Sequence, residues 1–170
     1  MRRLVDVEKS IAVPVSWTAP DETSFVRFSA PLEIDGVTEA GLTLTGGAYL
    51  DYPDRNVTFE LAVFGAAGVR RVRLIRLDWR SLRGGHSNPR NCPDKWRGQR
   101  VPATHLHCFD LNWVESEQRM RRGKLPCAKP LDSKPQSFEE LKESVGIHFR
   151  IKNIAIVPRP EWVYDLFGGE

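Results

Sequence analysis

The sequence predicts an α+β domain: an antiparallel sheet of five to seven strands in a meander, with about two helices packed on one face or end. Three observations carry this. Residues Asn56–Phe64 alternate with period two, setting Val57, Phe59, Leu61 and Val63 on one face and Thr58, Glu60 and Ala62 on the other. Short turn signals separate successive strand-like segments, which favours antiparallel neighbours. Helical patterning is confined to two stretches after residue 111. The 170 residues, 41 % of them hydrophobic, suit a single domain over 1–170 with a sizeable core and exclude a disordered chain.

Taken in order, Ile11–Val15 is apolar, and Pro14 makes it an edge strand or extended arm. Ser24–Ile34 is rich in Phe, Val and Ile and closes on the turn signal Asp35-Gly36. Leu42 and Leu44 alternate with threonines until Gly46-Gly47, which reads as an interruption. Asn56–Phe64 and Val69–Arg80 follow as strands. Ser81–Ala103 is punctuated by Gly84, Gly85, Pro89, Pro93, Gly98 and Pro102, and reads as a long loop of the kind that is usually functional or disordered. Thr104–Trp113 returns to strand composition. The first helix is expected to be capped by Asn112, supported by the pairs Glu115/Arg119 and Glu117/Arg121, and closed by Gly123. The second opens at Ser137 with Glu140 at the third position, buries Phe138, Leu141 and Val145, and ends at Gly146. A last strand over His148–Val157 and an apolar tail, Trp162–Phe167, complete the chain.

Charge is uneven. The net charge is +3, yet Asp21–Glu60 carries eight acids against Arg27 and Arg55, while Val69–Arg100 carries nine arginines and Lys95 against Asp78 and Asp94. Arg119, Arg121, Arg122 and Lys124 form a second basic run. Such a split suits phosphates or an acidic partner, and equally suits pairing of the two halves within one fold. RNA or DNA bound through 69–100, or a protein partner, is the expectation; a membrane is not, because no apolar stretch approaches the ~20 residues of a span. Three sparse cysteines and the acids in MRRLVDVEKS predict a cytoplasmic protein without a disulfide framework.

The residues that can carry chemistry cluster in the middle. His105 and His107 form a His-Leu-His strand segment, so both imidazoles share a face while Leu106 and Cys108 turn to the core. A loop histidine, His86, can complete a three-imidazole group. With His86 or Asp78 as a further ligand, this is a candidate divalent-metal site, zinc or manganese, with a position left for water. Without a metal, two histidines can share acid and base roles in phosphodiester cleavage. Asn88 would orient a histidine or hold a phosphate oxygen. Arg80, Arg83, Lys95 and Arg97 would bind phosphate. Trp96, between two cations, is either a base-stacking residue or a loop anchor. Asp78 is also readable as the partner of Arg76 or Arg80, and the histidines can simply bond to their neighbours or stack on Trp96 or Trp113.

Three motifs, Arg76-Leu77-Asp78-Trp79-Arg80, His86-Ser87-Asn88-Pro89 and His105-Leu106-His107-Cys108-Phe109-Asp110-Leu111-Asn112-Trp113, together resemble a family of small bacterial proteins with no activity assigned. Phe149-Arg150-Ile151-Lys152-Asn153 extends the likeness. The resemblance implies no chemistry; it marks the residues already singled out. The leading functional expectation is a small nucleic-acid-directed phosphodiesterase or nuclease using the histidine cluster. The alternatives are a non-enzymatic nucleic-acid- or protein-binding factor, of the phage, mobile-element, defence or anti-defence kind, and a metal hydrolase acting on a small substrate.

Overall fold

The computed structural model of the chain describes residues 1–64, 71–121 and 125–164. A short helix α1 (Arg2–Asp6) precedes the edge strand β1 (Ser10–Ile11). Four long strands follow: β2 (Phe25–Ile34), β3 (Val37–Tyr49), β4 (Val57–Val63) and β5 (Val72–Trp79). Beyond the loop come β6 (His105–His107), the single turn α2 (Phe109–Asn112), a small hairpin of β7 (Trp113–Val114) and β8 (Arg119–Met120), β9 (Lys129–Pro130) and the helix α3 (Phe138–Phe149). The main sheet has seven strands in the order β1-β2-β3-β4-β5-β6-β9, all antiparallel. The expected α+β meander is what the chain forms.

Its turns follow from backbone chemistry. Asp35 and Gly36 both take left-handed φ, 52° and 77°, as a two-residue hairpin loop requires, and Ile34 pairs with Val37 across them. Gly46-Gly47 does not interrupt β3. A Cβ at Gly46 would come within 2.2 Å of the Phe28 ring, and one at Gly47 within 2.7 Å of the Phe25 ring, so both glycines make room for aromatic side chains of the neighbouring strand.

One face of the sheet is the core. Phe28, Leu44, Phe59, Leu61, Leu77 and Trp79 are buried there, and α3 lays Phe138, Leu141, Val145 and Phe149 into the same cluster. Phe59 meets Phe138 at 6.1 Å, and Phe138 meets Trp162 edge-on at 5.6 Å. The expected docking of the tail is made by Trp162, while Val163 and Tyr164 are exposed; 165–170 lie outside the described residues. The indole N–H of Trp79 donates to the Pro135 carbonyl at 2.9 Å, so this buried ring leaves no polar atom unpaired.

Three local expectations are corrected. No α-helix follows Asn112, only a 3-10 turn, Glu115–Glu117: the Asn112 carboxamide donates to the Cys108 and Cys127 carbonyls and accepts from the Cys127 N–H, so it cannot cap. The chain instead turns through Gln118 at φ 49° into the β7–β8 hairpin, and Gly123 lies outside the described residues. Helix α3 is capped by Ser137, whose Oγ accepts from the Glu140 N–H at 3.2 Å, but it runs past Gly146. A Cβ at Gly146 would fall 2.9 Å from Ile154 Cγ2, so this glycine serves close packing inside the helix. The helix stops at Arg150, at φ 56°, and the expected strand over His148–Val157 is replaced by the helix end, one bridge at Ile151 and a 3-10 turn, Ile154–Ile156.

Candidate metal centre

The long loop is a folded ribbon. Arg80 takes φ 47° and turns the chain out of β5. The two arms then pair: Ser81 N–H donates to Ala103 O, Val101 N–H to His86 O at 2.8 Å, and Asn88 N–H to Gln99 O at 2.9 Å. This pairing swings His86 back over β6. It needs a glycine before the histidine, because a Cβ at Gly85 would sit 1.6 Å from the Val101 carbonyl oxygen. The ribbon tip holds a 3-10 turn, Asp94–Trp96.

Two buried asparagines fasten this ribbon to the stretch that precedes β9. Asn88 donates to Ala128 O at 2.8 Å and to Trp96 O at 3.0 Å, and accepts from Ala128 N–H at 2.9 Å. Asn112 treats Cys127 in the same way, at 2.8 and 3.0 Å. Each carboxamide thus acts as a piece of backbone in a place where a strand partner is missing. Asn88 reaches neither a histidine nor open solvent, contrary to the role expected of it. Beside these clamps Cys92 and Cys127 form a disulfide. This corrects the expectation of unpaired cysteines. The two thiols lie 35 residues apart in sequence, and only the ribbon's return to β9 brings them together. Cysteine usage therefore no longer argues for a reducing compartment. Cys108 remains free and half-buried. Among the described residues no helix is long and apolar enough to cross a membrane.

The three histidines meet. Sheet register sets His105 opposite Asp78 and His107 opposite Arg76. Ring centroids are 4.9 Å apart for His86 and His105, 5.4 Å for His86 and His107, and 4.9 Å for His105 and His107. One nitrogen from each ring lies within 4.8 Å of the other two. His105 and His107 are buried, and His86 closes the solvent side.

Three ring nitrogens, His86 Nε2, His105 Nε2 and His107 Nδ1, are buried without a hydrogen-bond partner. An unpaired buried polar group costs about 1–3 kcal/mol, so three at one place call for a cause. The opposite nitrogens are engaged. His105 Nδ1 donates to the Pro102 carbonyl at 2.8 Å, and His86 Nδ1 faces the Ser87 carbonyl at 3.3 Å. A carbonyl only accepts, so Nδ1 carries a proton in both rings and Nε2 is the nitrogen each can offer to a metal. His107 Nε2 has two neighbours of opposite character: Arg76 Nη2 at 2.7 Å, a donor, and Asp78 Oδ2 at 3.3 Å, an acceptor. The tautomer chooses between them. With the proton on Nε2 and Asp78 accepting, the Nδ1 lone pair is free to face the other two rings. Histidines that bind metals are held in this way, the second nitrogen tied to a carbonyl or carboxylate. A tetrahedral zinc with Zn–N bonds of about 2.0–2.1 Å spaces its nitrogens about 3.3 Å apart, so rings now within 4.8 Å would close by at most about 1.5 Å.

Electrostatics favour the ligating form. Burial lowers His107 to about 4; Asp78 opposes the shift and the Arg76 charge adds to it. Burial also lowers His86. Both rings are therefore neutral at pH 7, which suits metal ligation and does not suit a general acid. Asp78 is the anion beneath them. Burial pushes its carboxyl up, but the His105 and His107 imidazoles and the Arg76 charge outweigh that and hold it well below the usual carboxylate range. Arg76 Nε and Thr58 Oγ1 both donate to it at 2.8 Å. His105 Nε2 stands 3.2 Å from Asp78 Oδ2. Asp78 thus pairs with Arg76 and stands within 3.3 Å of both strand histidines. It lies beside the converging nitrogens, and the group of converging ligand atoms is the three histidines alone.

The expected phosphate ligands divide. Arg83, Lys95 and Arg97 are exposed on the ribbon, as are Arg90 and Arg100. Lys95 stands over Trp96 at 5.3 Å, and Arg97 pairs with Asp94. Arg80 is a strut: it stacks on Trp79 at 4.8 Å and donates to Asp54 O, Gln136 O and Gln136 Oε1. In the second basic run Arg121 donates to Leu111 O and Asn91 O, and Arg119 pairs with Glu117, while Arg122 and Lys124 lie outside the described residues. Sequence reasoning missed Thr58 and gave Arg76 no place against a histidine; the pairing of β4 with β5 and of β5 with β6 assigns both. Compared with protein-family models, curated proteins and solved structures, the chain matches none.

Proposed function

We propose that the protein is a metal-dependent phosphodiesterase directed at nucleic acid, with zinc or manganese held by His86, His105 and His107. The observation that supports this most is the convergence of three buried, unpartnered imidazole nitrogens beneath a ribbon of exposed cations. His86, His105 and His107 would each give the ion one nitrogen, and a zinc or manganese held there would supply an activated water for attack on the phosphodiester. Asp78 would accept a hydrogen bond from His107 Nε2–H, leaving Nδ1 for the ion, and its negative charge would offset the cation's. Arg83, Lys95 and Arg97 draw in the phosphate chain. The convergence of one nitrogen from each ring on a single point favours this reading over metal-free catalysis, which needs only two imidazoles on opposite sides of a phosphate.

The test is elemental analysis of untagged protein, wild type beside the His105→Ala/His107→Ala double variant, with cleavage of single-stranded RNA and DNA measured on both. About one equivalent of metal in the wild type, lost with cleavage in a folded variant, supports the proposal. Cleavage that survives alanine at each of the three histidines sinks it. Nucleic-acid binding that survives those changes, with no cleavage by any form, identifies a binding factor instead.

A further inference from the structure

The histidine cluster lies at one end of a longer polar surface. Cα pairing runs straight across the sheet in two rows: Arg27, Gly47, Thr58, Asp78, His105, and Ser29, Thr45, Glu60, Arg76, His107. Paired residues share a face, so both rows lie opposite the hydrophobic core. Over β2–β4 this face sinks into a trough of about 680 Å³, within the span of about 300–1,000 Å³ typical of small-ligand sites. Thr58 belongs to both regions: it lines the trough and donates to Asp78. Strands β4 and β6 are two spacings apart, about 10 Å.

The trough is built for an anion with a flat ring. Its one lining acid among the described residues, Glu60, is neutralised twice, by Arg71 Nη2 at 2.6 Å and Arg73 Nε at 2.7 Å. Positive charge is left over. Arg27 is exposed and feels the Asp21 carboxylate only through space, with no side-chain hydrogen bond or ion pair among the described residues, and Arg71 Nε is buried with no partner. Phe25 and Tyr49 contact each other at 5.0 Å at one end, and Phe64, 45 % exposed, lies under the Arg71 guanidinium at 5.3 Å at another. Cations beside partly exposed aromatic rings are what a nucleotide needs: a charge for its phosphate and a ring edge or surface for its base.

We propose that this trough binds one nucleotide, its phosphate on Arg27 and Arg71 and its base on the aromatic side chains, next to the phosphodiester that the histidine cluster cleaves. This deepens the proposed function and rests on it for the second half only. The probe is AMP, titrated into the full chain and followed by amide NMR and calorimetry. The His105→Ala/His107→Ala background is used in parallel, so that no cluster metal can hold the phosphate. Expected is saturable binding in both proteins, with shifts concentrated in β2–β4. Arg27→Ala should weaken it at least tenfold, Arg27→Lys should restore part of the loss, and adenosine and inorganic phosphate should each bind more weakly than AMP. Arg27 is exposed and unpaired, so its loss leaves the fold intact. Absence of binding, or binding that Arg27→Ala leaves unchanged, overturns the trough assignment even if the histidines prove to cleave nucleic acid. AMP in the trough with cleavage indifferent to the histidines keeps the nucleotide site and removes the catalytic centre.

Discussion

Removal of the Asp78 carboxylate is the sharpest probe of how the cluster is held. Asp78 is 15 % exposed and Arg76 23 %, and their contact is 2.8 Å. Asp78→Ala strips Arg76 of its anion and Thr58 of its acceptor, and leaves His105 and His107 facing a void. Breaking a fully buried pair costs about 3–5 kcal/mol. Partial rehydration of Arg76 places the expected loss at the low end, about 3 kcal/mol. For a domain of this size each kcal/mol moves the melting temperature by about 2–4 °C, so the shift should be about 6–12 °C. Asp78→Asn keeps an oxygen for Thr58 and should lose less. The carboxyl's pKa is depressed in the folded state, so the unfolded chain takes up its proton first. The stabilisation is full above the ordinary value of about 4 and is lost as pH falls below it. The acid limb of the stability curve should flatten in Asp78→Asn. Urea unfolding of wild type, Asp78→Ala, Arg76→Met and the double variant closes a cycle. A loss under about 0.5 kcal/mol in Asp78→Ala, or strict additivity with Arg76→Met, would refute the account of Asp78 as the anion that holds this cluster.

Three further outcomes are expected. His107 is depressed to about 4, so between there and about 6.5 the unfolded chain binds the extra proton, and chelator-treated protein should gain stability as pH rises through that window by up to about 3 kcal/mol. His107→Gln should remove that slope in a urea–pH series; an unchanged slope assigns it elsewhere. Cys92→Ser/Cys127→Ser opens a closure spanning 35 residues and should cost about 4 kcal/mol by chain entropy, read from the urea midpoint, with near-wild-type stability counting against the bridge. Gly85→Ala sets a methyl against the Val101 carbonyl, so it should shift the amides of His86 and Val101 and cut metal uptake while the β2–β5 amides stay put; normal uptake would mean that the ribbon can relax without moving His86.

Much of the fold was legible because period-two alternation is a local signal. Val57, Phe59 and Leu61 face the core as their spacing predicts, and Asp35-Gly36 forms the hairpin turn its residues demand. His105 and His107 share a face for the same reason. Ser137 caps α3 because its acceptor lies three residues away in sequence. What escaped reading depends on distant partners. Asn112 looks like a cap until Cys127 claims its carboxamide. Asn88 looks like a site residue until Ala128 does the same. The disulfide was hidden by an odd cysteine count, since two of the three pair and Cys108 stays free. Gly46, Gly47 and Gly146 read as breaks, but each makes space for a side chain supplied from elsewhere.

The asparagine clamps also set an order of events. The β2–β5 meander is made of neighbours and can zip from its turns. The site cannot: Asn88 must find Ala128 40 residues away, Asn112 must find Cys127 15 away, and His86 reaches the other histidines only once the ribbon is pinned. Long closures are entropically slow to form. Refolding should therefore protect β3 and β4 amides in pulse-labelled exchange before those of Val101, Cys127 and Ala128. The nascent sheet would carry His105 and His107 for some time with no third imidazole. A metal ion, if it binds, is then recruited by a scaffold already folded, and it cannot act as the nucleus around which the chain first collapses.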